Sequence, residues 1–236
     1  TELYGEAFSA RYKEYVKMAE AGKLRTFDKV PARQQFKRIL TSLQATSHPW
    51  LTWKDTINVR ALNNNTGTIH LSNLCTEITL PQDKNNIATC NLVSINLSAF
   101  LSEDKTWDWD RLKEAARAAV RQLDNLCDIT QTPIPEAMHS NQQTRAIGLG
   151  IMGLSDVLEK LGYCYESKEA YDLVDQLTEF ISYHAIDQSA DLAKELGSYP
   201  TFAGSGWSKG LLPIDTVDKL SKDRGVKVKI DQKTRL

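Results

Sequence analysis

Apolar residues return at helical intervals over residues 2–21, where Leu3, Phe8, Tyr12, Tyr15, Val16 and Ala19 predict a helix that Gly22 can stop. A second helix is expected with Pro31 in its first turn and Phe36, Ile39, Leu40 and Leu43 on one face. His48-Pro49 ends it, because the residue before a proline is pushed out of the α region. Trp50 to Trp53 reads as a short aromatic strand, and Asn63-Asn64-Asn65-Thr66-Gly67 as a turn cluster. Two extended segments are expected around Thr68–Leu80 and Ile87–Leu97, joined in a hairpin-like excursion by the polar run PQDKNN. Leu112, Ala115, Ala116, Ala119, Leu123 and Leu126 then mark a helix over Asp110–Cys127, which Thr132-Pro133-Ile134-Pro135 closes off.

Further along, Arg145 to Gly153 has the composition of a buried strand running into a helix at Leu154–Leu161. A long helix is predicted from Ser167 to Leu196, ending at Gly197, and Ser198 to Pro213 reads as an irregular loop rich in glycine and aromatic residues. The charged tail from Lys219 to Leu236 is expected to be mobile. With no internal repeat and no sharp break in composition, the 236 residues read as one α/β unit.

Composition narrows the function classes. Hydrophobic residues at 41% and charged residues at 25% are an ordinary globular balance, and a net charge of -1 argues against nucleic acid as an overall partner. No apolar run approaches the roughly 20 residues that span a bilayer, and the charged N-terminal helix is no signal peptide. Four cysteines without framework spacing point to a reducing, cytoplasmic setting.

The densest chemistry lies in TGTIHLSNLCTEITLPQDKNNIATCNLVSINL, Thr66 to Leu97. On an extended backbone Asn73, Cys75 and Glu77 project to one side, giving an amide, a thiol and a potential general base in a row. Leu74, Thr76 and Ile78 then face the other way, able to anchor the segment in a core. Cys90 follows on the next apolar run. Against this stands the ordinary fate of a cysteine as a small buried hydrophobe, the reading given to Cys127 and Cys164. Gly148-x-Gly150-x-x-Gly153 spells a dinucleotide fingerprint, but the acidic residue expected about 20 positions on should end a parallel strand, and Ser167 to Asp175 reads as helix. Close packing of strand against helix accounts better for these glycines. His48, His70, His139 and His184 form no ligand pair, and no CxxC or HxxxH spacing exists. His70 and Cys75, five apart on an extended chain, point to opposite faces, which disfavours a Cys-His nucleophile. From the residues themselves the result is a thiol and carboxylate site whose chemistry stays open.

The same residues resemble the catalytic large subunit of ribonucleotide reductase. SNLCTEITLP, Ser72 to Pro81, is similar to that family's radical-cysteine loop, and ATCNLVSINL, Ala88 to Leu97, to the strand bearing a reducing cysteine. LTWKDTINVRALNNNTGTIH upstream, and TPIPEAMHSNQQTRAIGLGIMGLSDVLEKLGY and GSYPTFAGSGWSKGLLPIDT downstream, continue the likeness in the family's order over nearly the whole chain. The LCTEI form resembles the class I enzymes. The implied fold is part of a ten-stranded α/β barrel with a central catalytic finger loop, residues 1–236 being an incomplete portion of it.

The resemblance also implies roles. Cys75 would carry a thiyl radical that abstracts the ribose 3′ hydrogen, Glu77 would take the 3′ hydroxyl proton, and Asn73 would hold the substrate. Cys90 would be one half of the reducing dithiol, and Asn73, Leu74, Cys75, Thr76 and Glu77 would line the ribonucleoside diphosphate. No cofactor is expected on the chain itself, the radical coming from a metal-containing small subunit and the electrons through thioredoxin or glutaredoxin. No cysteine precedes Cys75 to pair with Cys90. The family's effector sites, phosphate loop, radical-relaying tyrosines and shuttle cysteines are also missing. The expected partners therefore include the remaining large-subunit segments, and no turnover is expected from the chain alone. Two other roles stay open: a non-catalytic assembly or regulatory module keeping the reductase fold, and a thiol enzyme using Cys75 as an ordinary nucleophile.

Overall fold

The computed structural model describes residues 1–227. In chain order the elements are α1 (Gly5–Glu20), α2 (Ala32–Thr46), α3 (Lys54–Arg60), β1 (Asn91–Asn96), α4 (Trp109–Ile129), α5 (Pro135–Thr144), β2 (Ile147–Met152), α6 (Leu154–Leu161), α7 (Lys168–Leu196) and α8 (Asp215–Arg224). Short 3-10 turns occur at Asn64–Thr66, Leu97–Phe100, Pro200–Phe202 and Trp207–Lys209. The contacts divide the chain into two compact units, one formed by Thr1–Gln82 with the described chain from Gly204 onward, the other by Asp83–Ala203.

The first unit is helical. α1 and α2 form as their periodicity predicts, with Pro31 capping α2 from one residue outside it, yet neither helix buries a residue. Phe8, Tyr12 and Tyr15 on α1 and Phe36 and Leu40 on α2 are all exposed. The Trp50–Trp53 run is not a strand; Trp50, Leu51 and Trp53 are exposed, and the chain turns at once into α3. Asp55 in the first turn of α3 and Arg60 in its last suit the helix dipole and were its sequence signal. α3 packs on α8, with Arg60 Nε donating to Thr216 Oγ1 at 3.2 Å and Arg224 Nη2 to Thr56 Oγ1 at 2.9 Å. The tail expected to be mobile from Lys219 is therefore helical as far as Arg224, and residues 228–236 lie outside the described residues.

The second unit is a parallel strand pair covered by helices. β1 and β2 run in register from Asn91 opposite Ile147 to Asn96 opposite Met152. Parallel neighbours need a crossover, here supplied by α4 and α5. The expected hairpin of Thr68–Leu80 with Ile87–Leu97 does not form; of the two segments only Asn91–Asn96 becomes a strand, and its partner is β2. α5 was hidden in the TPIP stop signal, although Pro135 and Glu136 occupy its first turn as proline and an acid should. The glycines of the GxGxxG run allow close packing against the neighbouring strand. A Cβ on Gly148 would collide with Leu92 of the neighbouring strand, and Gly153 sits at φ +76 where a Cβ would come within 2.5 Å of Asn96 Oδ1. The close approach is thus strand to strand, not strand to helix, and no second parallel strand follows within Ser167–Asp175, which is helical from Lys168.

The core of this unit joins Ile95, Leu97, Phe100 and Leu101 to Leu112 and Ala116 of α4, Val157 and Leu158 of α6, and Leu173, Leu177 and Ile181 of α7. Along the rim of the α4–α7 contact, Arg117 pairs with Asp187 and with Asp191 (2.6 Å), and Arg121 pairs with Glu195. Arg145, in the left-handed region at φ 46, ties the start of β2 to α4 through Asp124 (2.9 Å) and Asp128 (2.6 Å).

His184 on α7 stands edge-on to the Phe180 and Tyr183 rings, with Nδ1 buried and without a hydrogen-bond partner. Burial lowers its pKa below 6.5; Lys113 and Arg117 on α4 lower it further, and Asp187 acts the other way. A histidine with a lowered folded pKa favours the fold while neutral. Its contribution is whole above the unfolded value of 6.5 and is lost as pH falls through the folded pKa. The melting temperature should therefore fall on acidification below 6.5, and the His184→Phe variant should show a shallower fall over the same window. Parallel profiles for the two proteins would remove His184 as the cause.

Candidate active site

The Cys75 segment is a closed turn rather than a strand. Thr76 N–H donates to Asn73 O at 3.1 Å, which makes Asn73–Thr76 a β-turn with Leu74 and Cys75 at its tip. Thr76 takes the positive φ of 65 that lets the chain reverse. The side chain of Asn73 then closes the neck. Its Oδ1 accepts from Ile78 N–H at 3.0 Å and its Nδ2 donates to Glu77 Oε1 at 2.6 Å. Ser72 Oγ adds a bond to Ile78 O at 2.6 Å.

The single row of Asn73, Cys75 and Glu77 predicted from strand alternation is corrected accordingly. Asn73 and Glu77 meet because the chain doubles back, and Cys75 is exposed at the tip between them. The expected inward anchoring of Leu74 also fails, since Leu74 is 81% exposed, and Ile78 is only half-buried. Asparagine favours such turns because its short amide satisfies nearby backbone groups that a ladder would otherwise take. Chemically the turn offers an accessible thiol flanked by a carboxylate whose direction is fixed by an amide donor.

What holds this turn to its unit was not foreseen. Asn58 on α3 is fully buried and exchanges two bonds with Ile69, Nδ2 to Ile69 O and Ile69 N–H to Oδ1, both 2.8 Å. The available signal was an asparagine, a poor helix former, inside the apolar run Ile57-Asn58-Val59. His70 turns to Glu2, with Nε2 3.1 Å from Oε1, and makes no bond to Cys75.

Cys90 belongs to the other unit, one residue before β1. It is half-buried, with Sγ 3.7 Å from Asn91 O. The neighbouring Asn91 side chain joins a polar cluster: Nδ2 reaches Cys127 Sγ at 3.4 Å and Asn141 Oδ1 at 3.3 Å, and Oδ1 accepts from Thr130 Oγ1 at 3.3 Å. Cys127 is buried as predicted, and desolvation pushes its thiol pKa up. Cys164 is exposed, contrary to the buried role expected of it, because α6 ends at Leu161 and leaves Gly162 to Ser167 as a surface turn. Among the described residues no cluster of three His, Cys, Asp or Glu side chains could hold a metal ion. Nor is any helix among them long and apolar enough to cross a membrane.

The family described as ribonucleotide reductase, barrel domain, matches residues 1–234. The chain is similar to the ribonucleoside-diphosphate reductase subunit alpha of Chlamydia pneumoniae, 43% identical over 95% of this chain and 21% of that protein. It is also similar to the ribonucleoside-diphosphate reductase large subunit of Danio rerio, 36% identical over 94% of this chain and 27% of that protein. The large subunit of Variola virus is 40% identical over 82% of this chain and 25% of that protein. The chain thus spans only 21% to 27% of the length of these relatives. With the LCTEI turn and the β1–β2 pair in place, the chain belongs to the ribonucleotide reductase barrel-domain family.

Proposed function

We propose that the chain is the central, turn-bearing portion of the catalytic barrel of a class I ribonucleoside-diphosphate reductase. The observation that carries this is the Asn73–Glu77 bond, 2.6 Å, closing a turn with an exposed Cys75 at its tip. In this reading a thiyl radical at Cys75 takes the hydrogen atom from ribose C3′, leaving a thiol and a carbon radical. Glu77 takes the 3′ hydroxyl proton and later returns it to the 3′ oxygen, while one proton of the reducing dithiol lets the 2′ hydroxyl depart as water and the other goes to C2′. A dithiol including Cys90 gives up two electrons and two protons and becomes a disulfide, and Cys75 returns its hydrogen to C3′ to regenerate the radical. Asn73 fixes the carboxylate and, with Leu74 and Thr76, lines the substrate.

The partners follow from that chemistry. A metal-containing small subunit supplies the radical, thioredoxin or glutaredoxin reduces the disulfide, and remaining large-subunit segments supply the second cysteine, the phosphate site and the effector sites. The uncovered apolar faces of α1 and α2 fit contact with such segments, and in the whole protein the parallel pair becomes part of a ten-stranded barrel. The setting is cytoplasmic. The test is a reductase assay on the chain mixed with complementary large-subunit segments and the small subunit. Deoxyribonucleotide from the mixture and none from the chain alone supports the proposal; turnover by the chain alone, or an assembled mixture that makes no product, contradicts it.

A further inference from the structure

The bonds that shape the Cys75 turn are separate from the buried bonds that attach it. One set, from Ser72 and Asn73 to Glu77 and Ile78, gives the turn its shape and involves no residue outside residues 72–78. The other lies at Ile69, which is 2% exposed, whereas residues 70–80 are all half-buried or exposed. There the carboxamide of Asn58 both donates to and accepts from one residue's backbone, as a neighbouring strand would. Asn58 Nδ2 also donates to Lys54 O at 2.9 Å, which fixes the amide against its own helix. Among the described residues no strand pairs with Ile69, and the buried asparagine makes the backbone bonds a strand would make.

We propose that Asn58 is a positioning residue that sets where the Cys75 turn stands, while Asn73 sets what the turn looks like. The turn is then a preformed unit whose buried attachment is the Asn58 clamp, the bonds of Thr68 and His70 to Glu2 being exposed, and loosening the clamp displaces the thiol and the carboxylate together. The clamp stands on the geometry alone; its consequence for hydrogen abstraction rests on the reductase reading.

Amide hydrogen exchange on the full chain tests the clamp. Asn58→Ala removes both bonds to Ile69 and should lower protection of the Ile69 amide at least about tenfold, while the Thr76 and Ile78 amides keep their native protection. Asn58→Asp supplies the specific readout. Ionised, its carboxylate still accepts from Ile69 N–H but repels Ile69 O, to which it has no proton to donate; protonated, it restores the donor and relieves that repulsion, so protection at Ile69 should rise as pH falls. Protection at Ile69 unchanged by Asn58→Ala, loss at Thr76 and Ile78 along with it, or no pH dependence in Asn58→Asp would each overturn the proposal. Should Asn58→Ala fail to fold, Asn58→Asp at low pH still decides. In the reconstituted reductase, turnover of Asn58→Asp relative to the native protein should recover over the same pH range. Recovery of protection without recovery of turnover would leave the clamp in place and remove the turn from the chemistry.

Discussion

Replacing Cys75 with serine should lower deoxyribonucleotide formation by the reconstituted reductase at least about a thousandfold, with assembly unaffected. The change is one atom at an exposed turn tip, and no bond that closes the turn comes from the Cys75 side chain: the closing groups are Ser72, Asn73, Thr76, Glu77 and Ile78. Folding should therefore be preserved. The chemistry should not be, because an S–H bond is comparable in strength to the activated C3′–H bond and an O–H bond is much stronger, so a serine cannot pass the hydrogen atom to and fro. Fast alkylation of the native thiol, rather than this substitution, would mark an ordinary nucleophile, because an unactivated serine hydroxyl is a far weaker nucleophile than a thiol. Unchanged product formation would make the chain a non-catalytic assembly module.

The second large effect lies in the core beneath β1. Leu177→Ala should destabilise the unit Asp83–Ala203 by about 3 kcal/mol, measured by urea unfolding. Leu177 is 0% exposed and sits in the cluster that joins α7 to α4, α6 and the chain after β1. Removing its branched end leaves a cavity among side chains held from several elements, which cannot all close in at once. Leu196, on the same helix but 60% exposed, provides the control, and its alanine variant should lie within about 0.5 kcal/mol of the native protein. Equal effects at the two positions would contradict the assignment of the α4–α7 contact as the core.

Which features could be read in advance depended on whether tertiary packing or local side-chain bonding decided them. α4 and α7 are long, and their apolar positions recur often enough that one buried face is the only solution; Ser167 and Asp108 then cap them through their side chains. The run Arg145–Gly153 was legible as a strand because its small and branched residues suit close strand packing, although the neighbour proved to be β1 rather than a helix. α3 and α5, with 7 and 10 residues, offer too few turns for periodicity to stand out.

Of the candidate site, the nearness of Asn73, Cys75 and Glu77 was legible in the sequence and the shape of the turn was not. Alternation assumed an extended backbone over Thr68–Leu80, but Asn73 makes bonds to its own neighbours that a sheet would have had to replace. Asn73 and Glu77 meet because the chain doubles back, not through the strand alternation the pattern suggests. Asn58 had no motif to mark it, because its importance comes from Ile69, eleven residues away and brought to it only by the fold.

The central claim is that the Cys75 sulfur takes the hydrogen from ribose C3′. Competition between a ribonucleoside diphosphate deuterated at C3′ and the unlabelled substrate, in the reconstituted complex, tests it most directly. The account predicts product depleted in deuterium at early conversion, with the label kept at C3′ in the deuterated product that does form. No discrimination between the two substrates, together with full exchange of the label into solvent, would contradict it.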